Sequence, residues 1–173
     1  PVAGYVQGLN RDPGLYKANI NGKSVLLLRQ YTYSTTDLKP LQILDVNGDL
    51  KKPIASGIIK NADNPHSAAS NGDYVFTANY DTGSITGAKI VGDKLQDSSE
   101  MMITQERFKK DLDDAWKSGK APLTYGVDEE VTLHGEGLYM VGNHLFVAYN
   151  ANPKDKGFNE YKDGVLAQYD IEK

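Results

Sequence analysis

The chain has 173 residues, 39% hydrophobic and 24% charged, with a formal net charge of -4 and no cysteine. That balance describes an ordinary folded chain, and it excludes disulfides, thiolate metal sites and a cysteine nucleophile. No stretch approaches the roughly 18 apolar residues of a membrane helix, so no membrane span is expected, and the scattered Lys and Arg exclude the local basic footprint of a nucleic-acid binder.

Pro1 opens the chain without an initiator Met or a charged-then-apolar leader, which reads as a processed product or a cut piece, the latter favoured. Residues 2–8 suit a stray outer strand or the tail of a preceding repeat. A first unit follows over residues 10–60. Residues 15–20 lead into the turn pair Asn21-Gly22 and the apolar run Val25-Leu26-Leu27-Leu28; residues 41–46 give a third strand and residues 50–59 a more polar fourth. Between these last two, Asp45, Asn47 and Asp49 alternate as in a calcium loop. The bidentate Glu of such a loop is missing, and tight-turn chemistry accounts for the segment.

A second unit covers residues 61–103: strand 66–70, turn Asn71-Gly72, apolar strand Tyr74-Val75-Phe76-Thr77-Ala78-Asn79, strand 84–91, turn Gly92-Asp93 and a polar strand 95–103. A helical insertion occupies 104–130. Thr104 can cap a helix over 105–118, Phe108, Leu112 and Trp116 share one face, Gly119 ends it, and Lys109, Lys110, Asp111, Asp113 and Asp114 take the wet side. A third unit, 131–173, offers strand 137–140, the turn at Gly142, an apolar strand from Leu145 and a strand 165–171, with no fourth strand.

Aligned on Gly22, Gly72 and Gly142, the apolar residues coincide: Val25, Val75 and Leu145, then Leu26, Phe76 and Phe146, then Leu28, Ala78 and Ala148. A repeated antiparallel meander of about 40–50 residues is the size of a propeller blade. The expected fold is therefore all-β: about three four-stranded β-propeller blades, part of a larger ring or completed by a partner chain, with one inserted helix.

The second unit, from Asn64-Pro65-His66 through Gly72 and Thr77-Ala78-Asn79 to Gly83-Ser84-Ile85, resembles the YVTN family of propeller repeats and the related lactonase-like propellers. Val147-Ala148-Tyr149-Asn150 follows the pattern with one extra residue; Leu28-Arg29-Gln30 departs from it. The resemblance implies fold more than activity, and it implies an extracytoplasmic setting, periplasmic, secreted or on the cell surface.

His66 and His134 begin the inner strands of the second and third units, with Tyr16 in the matching place of the first; Glu136 and Asp63 lie close enough in sequence to orient the imidazoles. Two histidines are too few for a closed metal site, so no metal is assigned and the cofactor is left open. Asn79 heads a turn-rich loop suited to binding, and 11 tyrosines, several beside turns, suit a protein or glycan contact surface. The expected function is a non-catalytic binding or scaffold module that contacts another protein chain, the missing part of the propeller or a surface glycan. The alternative is a lactonase-like hydrolase using His66, His134 and Glu136.

Overall fold

Asparagine followed by glycine tolerates left-handed backbone at both centres of a two-residue turn. Asn21 and Gly22 adopt φ of 52° and 77°, closing the hairpin of β1 (Gly14–Ile20) and β2 (Lys23–Arg29) with Ile20 opposite Lys23. The computed structural model describes residues 2, 4–9, 13–30, 38–59, 65–79, 84–97, 103–118, 131–153 and 163–171. Two further antiparallel strands, β3 (Leu41–Asp45) and β4 (Ala55–Gly57), complete the first meander. β5 (Pro65–Ser70), β6 (Tyr74–Asn79), β7 (Ile85–Val91) and β8 (Lys94–Asp97) repeat the arrangement.

The expectation of separate propeller blades is corrected here. The fourth strands are not outer edges: β4 and β8 pair in parallel at Ser56 and Lys94, with the Ser56 N–H donating to the Asp93 carbonyl at 3.0 Å. This seam joins the meanders into one mixed eight-stranded sheet, in the order β1-β2-β3-β4-β8-β7-β6-β5. The sheet curls until its two end strands meet, the Tyr16 hydroxyl of β1 donating to the His66 carbonyl of β5 at 2.8 Å. The result is a nearly closed barrel. Its interior is filled from all eight strands by Ala18, Val25, Leu27, Ile43, Ala55, Ala68, Val75, Ala88 and Leu95. Gly57 allows the seam, because a Cβ there would lie 2.9 Å from the Leu95 Cβ and 3.1 Å from its backbone nitrogen.

The outward face of β5–β7 carries a second core. Ala69, Phe76, Ala78 and Ile85 pack there against Met140, Leu145, Val147 and Tyr149 of a separate sheet. That sheet, ordered β11-β10-β9, comprises β9 (Val131–Val141), β10 (His144–Pro153) and β11 (Asp163–Asp170).

The helix α1 (Gln105–Lys117) forms where the sequence places it, the Arg107 N–H donating to the Thr104 hydroxyl oxygen at 3.3 Å as an N-cap. Lys109–Asp113 and Lys110–Asp114 pair one turn apart. Phe108 is fully buried, edge-on to Tyr149 and Tyr169 with centroids at 4.5 and 4.9 Å. The side chains of Leu112 and Trp116, and Gly119, lie outside the described residues.

Candidate functional site

Counting outward from each hairpin relates the three units by their turns. Ser70 stands opposite Val75 and Met140 opposite Leu145, each one step from the turn; in the first hairpin that step pairs Asn19 with Ser24. By this count Ser24 holds the hairpin position of Val75 and Leu145, although Val25 and Val75 share the barrel interior. The reason lies in the turns: Gly22 is the second central residue of its turn, whereas Gly142 is the first of its own. The count from the turn therefore differs by one residue from the glycine spacing, and it is the glycine spacing that brings Val25 and Val75 to the same barrel interior.

The same count relocates the candidate polar residues. Pro65 faces Asn79 and Ser67 faces Ala78, so His66 is the extra residue of a β-bulge. Gly135 faces Tyr149 and Gly137 faces Ala148, so Glu136 is the extra residue of a bulge at the equivalent place. His66 thus corresponds to Glu136. His134 lies two residues further out, opposite Asn150, and Tyr16, opposite Leu27, corresponds to Ser67. Bulges re-aim side chains and gather beside functional sites; here the imidazole of His66 is exposed while its carbonyl is fixed by Tyr16. The side chains of His134 and Glu136, together with Asp63 and residues 80–83, lie outside the described residues. Asn79 is not an exposed loop residue: it ends β6, buried, its N–H donating to the Ser84 carbonyl at 2.8 Å.

Next to the His66 bulge lies a small, water-sized cleft of about 20 Å³, lined by Arg29, Gln30, Lys39, Leu41, Ile59, Pro65 and Thr77. Arg29 ends the apolar run of β2 and is 9% exposed. Its guanidinium lies 5.9 Å from the centroid of the Tyr16 ring. Opposite it, Gly14 makes the room, since a Cβ there would approach the guanidinium to 2.5 Å. Thr77, which also lines the cleft, is buried beside its cross-strand neighbour Thr86, and Asn79, two residues along β6, shares that face. The sequence reading passed over Arg29. Its signal was the charged residue closing Leu26-Leu27-Leu28, the place where the first unit departs from the family pattern.

Two other polar clusters are structural in form. Asp45 accepts the Asn47 N–H at 2.9 Å and pairs with Lys23, and Asp49 accepts the Lys51 N–H at 2.9 Å, so these carboxylates brace turns. The Lys23 hydrogen bond, then that from the Asn47 backbone, hold Asp45 below the usual carboxylate range. At the end of the small sheet His144 Nδ1 lies 2.6 Å from Asp170 Oδ1, to which Gln168 Nε2 donates at 3.1 Å. These bonds, that of His144 first, lower the Asp170 pKa. In comparisons with known proteins, no family model and no curated protein matches this chain.

Proposed function

We propose that the chain is a non-catalytic interaction module that docks a protein chain on the outward face of β9–β11. The observation that carries this reading is an inequality between equivalent faces. Phe76 and Ala78 are buried under the small sheet, whereas their counterparts Phe146 and Ala148 are only half-buried, among exposed Tyr139, Val141 and Leu166. Cross-strand pairing sets Phe146 between Tyr139 and Gln168, and Ala148 between Gly137 and Leu166, so these side chains share one face. A contiguous apolar patch beside a polar rim, here His144, Gln168 and Asp170, is the anatomy of a contact surface. The occupant is the same apolar sheet face, which a second copy of the chain supplies in a two-fold arrangement. An extracytoplasmic setting for this contact rests on the family resemblance alone.

Sedimentation velocity over a concentration series tests the reading. A reversible dimer is expected, and Leu166→Lys or Tyr139→Lys shifts it to monomer while leaving the circular dichroism unchanged. A chain that stays monomeric at its highest soluble concentration, or one that dimerises equally well with both lysines present, removes the proposal.

A further inference from the structure

We infer that docking on the outward face of β9–β11 is controlled by protons through His144, the second copy binding tightly below neutral pH and loosening above it. The inference rests on the docking reading and adds its regulation. Cross-strand pairing sets His144 opposite Asp170 and Val141, two residues along β10 from Phe146, so these side chains stand on the apolar face. The imidazole centroid lies 6.5 Å from that of the Phe146 ring, and Nδ1 lies 2.6 Å from Asp170 Oδ1. The His144 and Asp170 side chains are 51% and 68% exposed, so water solvates either charge state of the pair while the face is open. A partner that covers Phe146 takes the pair out of water with it.

The chemistry of the pair sets the sign. An ionised carboxylate only accepts hydrogen bonds, so Nδ1 carries a proton and Nε2 takes up or releases the second one. The Gln168 amide donates to the same Asp170 oxygen at 3.1 Å and lies 3.1 Å from Nδ1, which holds the carboxylate beside the ring. These hydrogen bonds, that of His144 first, keep Asp170 ionised in mildly acidic solution. Imidazole is the side chain that ordinarily changes charge between about pH 5 and 8. On the acidic side of that range the pair is an imidazolium and a carboxylate, and their charges cancel. On the alkaline side a neutral ring leaves the carboxylate uncompensated, and covering it is costly. Two-fold pairing doubles the cost, since each copy brings its own Asp170. The other titratable group among the described residues of this face is Tyr139 of β9, and phenols ordinarily titrate near pH 10. From beneath, the β5–β6 turn presents the uncharged amide of Asn71 to the β9–β10 turn. Docking therefore takes up protons, and by linkage the complex tightens as pH falls.

The test is sedimentation velocity over a concentration series at several pH values between about pH 6 and 8, at fixed ionic strength. The wild-type dissociation constant is expected to rise about tenfold or more across that range. His144→Gln, which takes up no proton, should dimerise as weakly at the acidic end as the wild type does at the alkaline end. Asp170→Asn, which has no charge to desolvate, should dimerise at the alkaline end at least as tightly as the wild type does at the acidic end. His66→Gln, on the barrel, should keep the wild-type slope. A merely structural role for the pair would weaken the His144 and Asp170 variants alike at every pH, and that result overturns the inference. So does a wild-type slope in His144→Gln, or its loss in His66→Gln. A dissociation constant that stays flat in the wild type overturns the proton control and leaves the docking surface standing. Absence of a dimer at every pH removes the docking reading and the control with it.

Discussion

The side-chain amide of Asn71 donates to the Gly142 carbonyl at 3.0 Å, tying the turn that follows β5 to the turn that follows β9. The other end of the same amide, Oδ1, accepts the N–H groups of Asp73 and Tyr74 at 3.0 and 2.9 Å. One side chain therefore shapes its own turn and fastens the small sheet to the barrel. Asn71→Ala removes these bonds, together with a longer one from the amide to Asn143 Oδ1 at 3.4 Å, and should lower stability by about 1–3 kcal/mol. Asn71→Asp keeps the acceptor, loses the donor and should cost less. Urea midpoints measure both, and a wild-type midpoint for Asn71→Ala would show that the turns are held by packing alone.

Gly72, next in the chain, works differently. Its φ is 94°, and a Cβ there would meet the Ile20 side chain at 2.6 Å; Gly22 has a φ of 77° and nothing within 4 Å. Gly22→Ala isolates the left-handed backbone cost, about 1–2 kcal/mol. Gly72→Ala adds the collision and should be the more damaging change, with Ile20→Ala partly rescuing it. Equal losses in the two single variants would mean that β1 yields freely to the second turn.

Much of the local structure is legible because it rests on short-range chemistry. Asn21-Gly22, Gly92-Asp93 and Gly142-Asn143 announce turns, and Thr104 announces the helix. The Glu136 bulge had a readable signal as well, since Gly135 and Gly137 flank it inside a strand. What misleads is the step from turns to architecture. Gly22 and Gly142 occupy different places in their turns, and the spacing does not say what each strand packs against: Val25 and Val75 fill the barrel, Leu145 the second core. The barrel depends on a seam at one residue pair, Ser56 with Lys94, and no periodicity encodes a partner 38 residues away. The candidate site was half legible: His66 and Asn79 drew notice, while Arg29 resembled the polar end of a strand until Gly14, Tyr16 and Thr77 came together around it.

The helix contact carries a pH dependence. Burial, then the hydrogen bond to Asp111 at 2.8 Å and that carboxylate's charge, raise the Tyr169 phenol above the ordinary value of 10.0; Arg107 over the ring opposes them. Burial, and to a smaller degree Tyr169, raise Tyr149 as well. Both groups are neutral below pH 10 in either state, so their contribution is intact there. Above it the unfolded chain ionises these phenols first, and stability falls as pH rises toward the folded values. Urea midpoints measured at rising alkaline pH should fall above pH 10, and Tyr169→Phe should flatten that loss. Phe108→Ala, which empties the space between the two rings, should cost about 3–5 kcal/mol at neutral pH.

The barrel itself can be tested at Gly57. Its hypothetical Cβ lies 2.9 Å from the Leu95 Cβ, 3.1 Å from the Leu95 nitrogen and 3.2 Å from its carbonyl oxygen, and two of these are backbone atoms that cannot rotate away. Gly57→Val should therefore separate β4 from β8 while the hairpins within each meander keep their antiparallel bonds. Hydrogen exchange distinguishes the outcomes. The Ser56 amide, bonded to the Asp93 carbonyl across the seam, should lose its protection. The Val25 and Val75 amides, in hairpin strands, should keep most of theirs, with a fall set only by the lost global stability. If the Ser56 amide remains protected in Gly57→Val, the seam does not depend on that close approach. If protection collapses equally everywhere, barrel closure is a condition of folding for both meanders.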